Sequence, residues 1–143
     1  MLREIGAIRQ DSDRGYRRWF QDDYFDLYVW HDVQGVPIAF QLCYARNASE
    51  GAITWRAGEG YSHARVDAGE PGPFASMSPL LRPASAPPYF HIYRRVLVAT
   101  AGWEPALRVF LLERLREYRK VLFGAHRKPR RKPGRPRSHT RNR

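Results

Sequence analysis

Cys43 is the chain's single cysteine, which excludes an internal disulfide and fits a reducing compartment. Long apolar runs are also missing. None approaches the roughly 18 residues that a membrane helix needs, and Met1-Leu2-Arg3-Glu4-Ile5 lacks the apolar stretch of a secretory signal. The cytoplasm is therefore the expected location, with no membrane partner. Acid is absent from the far end: residues 124–143 hold seven Arg and two Lys but no Asp or Glu, a charge of +9. Residues 1–123 hold the other sixteen Lys and Arg against all fourteen acids, a charge of +2. The body is thus almost neutral, and any attraction to polyanions is expected to start in the tail.

What is present fits one folded unit. The chain has 143 residues, 43% of them hydrophobic and 13% aromatic, long enough for a core rich in rings. Residues 3–10 alternate weakly, and Asp11-Ser12-Asp13-Arg14-Gly15 breaks them as a turn. Residues 16–20 form a second expected strand before the acidic corner Gln21-Asp22-Asp23. Phe25, Leu27 and Val29 alternate with Asp26, Tyr28 and Trp30, as a half-buried strand requires. His31-Asp32-Val33-Gln34-Gly35 then reads as a hairpin turn, its glycine suited to positive φ. Ile38, Phe40, Leu42 and Tyr44 share one face of the returning strand; Ala39, Gln41 and Cys43 share the other. Residues 53–56 and 61–66 continue across Gly58 and Gly60. Connections this short cannot make parallel crossovers, so an antiparallel meander of five to six strands is expected.

Residues 68–88 change character. Pro71, Pro73, Pro79, Pro83, Pro87 and Pro88 predict a long irregular loop, a cover or a lid. Tyr89, Ile92, Tyr93, Val96 and Leu97 then recur at helical spacing, with a strand as the alternative because of the β-branched residues. Leu107, Phe110, Leu111, Arg114, Leu115, Tyr118, Val121 and Leu122, with one polar insertion, predict a last helix, with Pro105 in its first turn and Gly124 at its C-cap. The expected class is α+β: an antiparallel sheet packed by one or two C-terminal helices, residues 1–123 forming a single domain and residues 124–143 a disordered basic tail.

Within the tail, Arg130-Arg131-Lys132-Pro133-Gly134-Arg135-Pro136-Arg137 resembles the AT-hook, a peptide whose Gly-Arg-Pro core lies along the minor groove of A·T-rich DNA. Gly134, Arg135 and Pro136 match that core. The glycine lets backbone approach the groove floor, proline keeps the peptide extended, and arginine reads the potential of a narrow groove. Pro133 stands where the family has arginine, so the match is better read as charge than as groove insertion. Arg130, Arg131, Lys132, Gly134, Arg135 and Arg137 are the candidate nucleic-acid contacts, DNA or RNA, through largely sequence-independent and salt-sensitive phosphate attraction. A solubilising extension with no specific partner is the plainer reading.

The body holds several candidate sites with bland alternatives. Cys43 lies mid-strand, where a small buried thiol is commoner than a nucleophile, and no spacing pairs it with His31 or His63. Asp22, Asp23 and Asp26 with His31 fit neither a calcium loop nor a zinc pattern. Ser62, His63 and Asp67 come with no nucleophile elbow. No catalytic residue, metal site or cofactor is therefore identified, and a binding domain is the expectation, with an enzyme of unidentified site, the Pro-rich segment serving as its lid, as an alternative. Arg14 and Arg18, followed by Asn47-Ala48-Ser49-Glu50-Gly51-Ala52, resemble the two halves of the PilZ cyclic-dinucleotide motif, although Ala52 stands where that family has glycine. That resemblance implies a small-ligand domain with Arg14 and Arg18 on the ligand. Arg17-Arg18-Trp19-Phe20 mixes charge and rings as nucleic-acid platforms do; core and sheet-face packing, with the arginines paired to Asp22, Asp23 or Asp26, is the simpler expectation. Finally, Arg17-Arg18-Trp19-Phe20, Phe25-Asp26-Leu27-Tyr28-Val29-Trp30, Phe40-Gln41-Leu42-Cys43-Tyr44 and Thr54-Trp55 resemble a group of short uncharacterised bacterial proteins, over roughly residues 3–70. The group brings no assigned activity.

Overall fold

A computed structural model describes residues 1–6, 15–66, 81–83 and 86–124. Seven antiparallel strands follow one another in chain order, each bonded to the next: β1 (Arg3–Glu4), β2 (Tyr16–Gln21), β3 (Phe25–His31), β4 (Pro37–Tyr44), β5 (Gly51–Arg56), β6 (Gly60–Val66) and β7 (Leu81–Pro83). Two helices follow, α1 (Tyr89–Ala99) and α2 (Pro105–Gly124). The expected antiparallel meander packed by C-terminal helices is the fold; the described residues hold seven strands where five to six were expected, and two helices where one or two were.

Short turns set the register. Asp22 accepts hydrogen bonds from the backbone N–H groups of Tyr24 and Phe25 at 2.8 and 2.6 Å, closing the β2–β3 corner. Asp32 does the same for Gln34 and Val36, both at 2.9 Å, and Gly35 takes a φ of +83°. These are Asx turns, in which a short carboxylate replaces backbone acceptors. With the turns fixed, the period of two places Phe20, Leu27, Leu42 and Ile53 in one cross-strand row of the inner face. Arg18, Val29, Phe40 and Trp55 form the next such row.

The helices cover this inner face. Ile92 and Val96 of α1 and Leu107, Leu111 and Leu115 of α2 join Phe25, Leu27, Val29, Phe40, Leu42 and Ile53 in one buried cluster. Polar ties lock the layers: Tyr61 donates to the Arg114 carbonyl at 2.8 Å, and Trp103 Nε1 donates to the Leu2 carbonyl at 3.1 Å. Arg108 of α2 reaches back to the end of α1, donating to the Leu97 carbonyl at 3.2 Å and to Thr100 Oγ1 at 3.3 Å. It thereby fills one of the carbonyl acceptors that a helix end leaves open.

Two details differ from the sequence expectation, and one open alternative is decided. The Pro-rich stretch contains β7, whose residues pair with β6 from Ala64 to Val66. His31 belongs to β3 rather than to the turn, because a register shift beside it pairs it with Pro37. Residues 89–99 are helical, not extended, since their i, i+3, i+4 positions face the core. The tail, residues 125–143, and Arg14 lie outside the described residues.

Candidate functional site

Positive charge concentrates on one layer. The described residues up to 88 carry seven Arg against seven acids, no net charge, whereas residues 89–124 carry seven Lys and Arg against three acids, a charge of +4. The sequence expectation of a neutral body is right in sum and hides this polarity. The positive layer is also the one from which the cationic residues 125–143 continue.

Between the helices runs a groove of about 390 Å³ bordered by Phe90, Tyr93, Arg94, Leu97, Arg116 and Arg119. Its shape follows from the helical pattern. Ile92 and Val96 point inward on α1, so Phe90, Arg94 and Val98 point out; Leu111, Leu115 and Tyr118 point inward on α2, leaving Arg116, Arg119 and Phe123 outside. Phe90 and Phe123 stack across the gap with ring centroids 5.8 Å apart and planes inclined by 21°, yet they remain 54% and 52% exposed. The Arg119 guanidinium lies 5.2 Å from the Phe90 ring centre, and Arg116 Nε donates to the Tyr93 hydroxyl at 2.9 Å. On the other flank of α1, Arg95 sits 4.0 Å over the Tyr24 ring and donates to His91 at 3.1 Å. Among the described residues, none of Arg94, Arg95, Arg116 and Arg119 forms an ion pair with a carboxylate. Guanidinium groups held over rings keep their charge and stay available to an anion.

The outer sheet face is different. Trp19 and Tyr28 stack at 5.8 Å, Trp30 follows Tyr28 at 6.1 Å, and the Arg17 guanidinium lies 5.3 Å from the Tyr28 ring. Its polar atoms partner one another. Trp19 Nε1 and Gln21 Nε2 donate to Asp26 Oδ1 at 2.6 and 3.1 Å, and Arg46 lies 3.6 Å from Asp26 Oδ2. Trp19 is accordingly a sheet-face residue and Phe20 a core residue, as the simpler expectation had it.

The remaining sequence candidates disperse. Arg18 donates through Nε and Nη2 to Glu4, both at 2.9 Å, and through Nη1 to Glu104 at 2.8 Å. Its partners are therefore not the Asp cluster. The paired carboxylate raises the Arg18 pKa, and the Arg18 hydrogen bond holds the Glu4 carboxyl below its usual range. Arg18 lies in the pairing row of Val29, Phe40 and Trp55, whereas the turn of residues 45–50 caps the row of Tyr44 and Gly51. Arg18 is thus not in the row that this turn caps, and Arg14 lies outside the described residues. Cys43 is buried, and burial pushes its thiol up to about 11, the opposite of an activated nucleophile. His31 is buried against Tyr16, rings 4.6 Å apart, with Nδ1 3.1 Å from the Gly35 carbonyl; burial lowers its pKa and favours the neutral ring. No group of three or more His, Cys, Asp or Glu among the described residues is arranged to hold a metal ion. No described helix is long and apolar enough to cross a membrane.

Sequence reasoning missed the groove. Its only linear signal is that Phe90 and Phe123 fall off the apolar stripes, each within four residues of an arginine. Comparisons of the chain with protein families, with curated proteins and with solved structures find no match.

Proposed function

We propose that this chain is a non-enzymatic nucleic-acid-binding module, in which the helix layer and the cationic residues that follow it hold single-stranded DNA or RNA without reading sequence. One observation carries the reading: Arg94, Arg116 and Arg119, without carboxylate partners among the described residues, border the same groove as the exposed Phe90, which stacks on Phe123. Bases stack on exposed rings whatever their identity, at about 1–3 kcal/mol per base, while guanidinium groups neutralise phosphates. Duplex DNA keeps its bases stacked inside, so the rings favour single strands. Arg130, Arg131, Lys132, Arg135 and Arg137, with Gly134 between them, would extend the same electrostatic track and supply most of the phosphate contacts.

Fluorescence anisotropy with a labelled oligonucleotide tests this at several salt concentrations. Removing residues 125–143 should abolish most of the salt-sensitive affinity, and Phe90→Ala in the full chain should weaken single-strand binding by about tenfold, the worth of one stacked base. A truncated chain that binds as tightly as the full one removes the tail from the account. Equal binding by Phe90→Ala removes the groove.

A further inference from the structure

Resting on the nucleic-acid reading, we infer that the cleft between α1 and the β2–β3 corner takes the terminal phosphate of the bound strand, so that phosphorylated ends bind best. The cleft measures about 370 Å³ and is bordered by Asp22 and Tyr24 on the sheet side and by His91, Arg94, Arg95 and Val98 of α1. Those four helical residues stand at i, i+3, i+4 and i+7, one exposed stripe of α1. Arg94 also borders the Phe90 groove, so the two sites meet at one side chain. Phe90 and Arg94 are four residues apart, about 6 Å along the helix. A strand with one base on Phe90 therefore reaches the cleft without leaving the protein.

Arg95 is held in place here. Its guanidinium lies 4.0 Å over the Tyr24 ring, and its Nε donates to His91 Nε2 at 3.1 Å. Tyr24 is anchored in turn: its ring packs edge-to-face with the buried Phe25 at 4.8 Å, and its backbone N–H donates to Asp22. Both Nη groups of Arg95 are left without a partner among the described residues, and Arg94 has no hydrogen-bonded or carboxylate partner there. Asp22 is the one carboxylate at the rim among the described residues, and its Oδ1 is taken by the N–H groups of Tyr24 and Phe25. An internal phosphodiester is singly charged, whereas a terminal phosphate carries about −1.5 to −2 at neutral pH on three acceptor oxygens. Two neighbouring guanidinium forks, one of them fixed over a ring, match that richer set of acceptors better than a diester. Val98, 74% exposed, adds an apolar wall for the last nucleoside.

Fluorescence anisotropy of the full chain at constant salt tests this with a hydroxyl-ended oligonucleotide and the same strand phosphorylated at its 5′ or its 3′ end. A hydroxyl-ended strand one nucleotide longer matches the number of phosphates. A terminal phosphate at one of the two ends should tighten binding by about tenfold over both controls. Each variant is read as the ratio of its affinities for the phosphorylated and hydroxyl-ended strands, so a general loss of charge cancels. Arg95→Ala should bring that ratio to about one, and Arg95→Lys, which keeps the charge but loses the planar fork, to about two or three. Equal binding of phosphorylated and hydroxyl-ended strands, or a preference that Arg95→Lys leaves intact, overturns the inference while the nucleic-acid reading stands. Failure of every strand to bind overturns both. Inorganic phosphate that erases the preference at the strand's own concentration assigns the cleft to the free ion and likewise overturns the inference.

Discussion

Arginine has opposite employment in the two layers. In the sheet layer Arg18 is matched by Glu4 and Glu104, Arg46 by Asp26, and Arg56 by Glu59. In the helix layer Arg116 and Arg119 rest on a tyrosine hydroxyl and a phenylalanine ring, and Arg114 is the one with a carboxylate partner, Glu117, among the described residues. Arg17, over the Tyr28 ring, and Arg108, bonded to the end of α1, are exceptions; otherwise arginine with a described partner contributes to cohesion in the sheet layer and presents charge in the helix layer. The difference separates the groups that hold the fold from those available to a partner, and each prediction below presses on that line.

Breaking the junction between the layers should have the largest effect. Leu111→Ala empties a fully buried site against the sheet and should cost about 2–5 kcal/mol. Chemical denaturation followed by tryptophan fluorescence and by far-ultraviolet circular dichroism should give one shared transition; two separate transitions would mean the layers fold independently. Next comes Gly51→Ala, whose Cβ collides with Tyr44 and should cost about 1–3 kcal/mol of overpacking. Its Tyr44→Phe companion removes the hydroxyl without the clash and should cost less.

Arg18→Ala should destabilise the chain by about 1 kcal/mol, because its side chain is only 21% exposed but its two glutamates are open to solvent. Glu4 has a folded pKa below its ordinary 4.5. Its contribution is therefore fully present above that value and is lost as pH falls through the lower folded pKa. His31 acts at higher pH with the same sign. Its folded pKa lies below 6.5, so below that value the unfolded chain takes up a proton that the folded one resists, and stability falls as pH drops. Denaturation midpoints measured from pH 8 down to pH 5 should show that loss, and His31→Phe should flatten it. The smallest stability effect, within about 0.5 kcal/mol, is expected for Arg116→Ala and Arg119→Ala on the exposed side. A larger loss would place those residues with Arg18 among the cohesive set.

Much of the architecture could be read in the chain because it depends on local rules. The alternation of Phe25, Leu27 and Val29, the glycine of the β3–β4 turn and the stripe of α2 each encode their own element. What was illegible depends on register or on the relation between elements. The buried Ala39, Cys43 and Ala52 show that the outer face is also tightly covered, which alternation alone does not reveal. Tyr44 meets His63 only because Gly51 intervenes two-dimensionally, across strands 19 residues apart in sequence. His31 looked like a turn residue because one irregular pairing with Pro37 extends β3. The groove needs two helices to be side by side, and no linear pattern states that Phe90 will stack on Phe123. The tail, by contrast, declared its charge openly, and its charge is all that its residues disclose.

The most direct test is to map single-stranded oligonucleotide contacts on the isotopically labelled full chain by backbone and arginine side-chain NMR. The account predicts perturbations at Phe90, Arg94, Arg116, Arg119 and Phe123 together with residues 125–143, and a quiet face at Trp19, Tyr28 and Trp30. Perturbations centred on those sheet-face rings, or confined to residues 125–143, would contradict it.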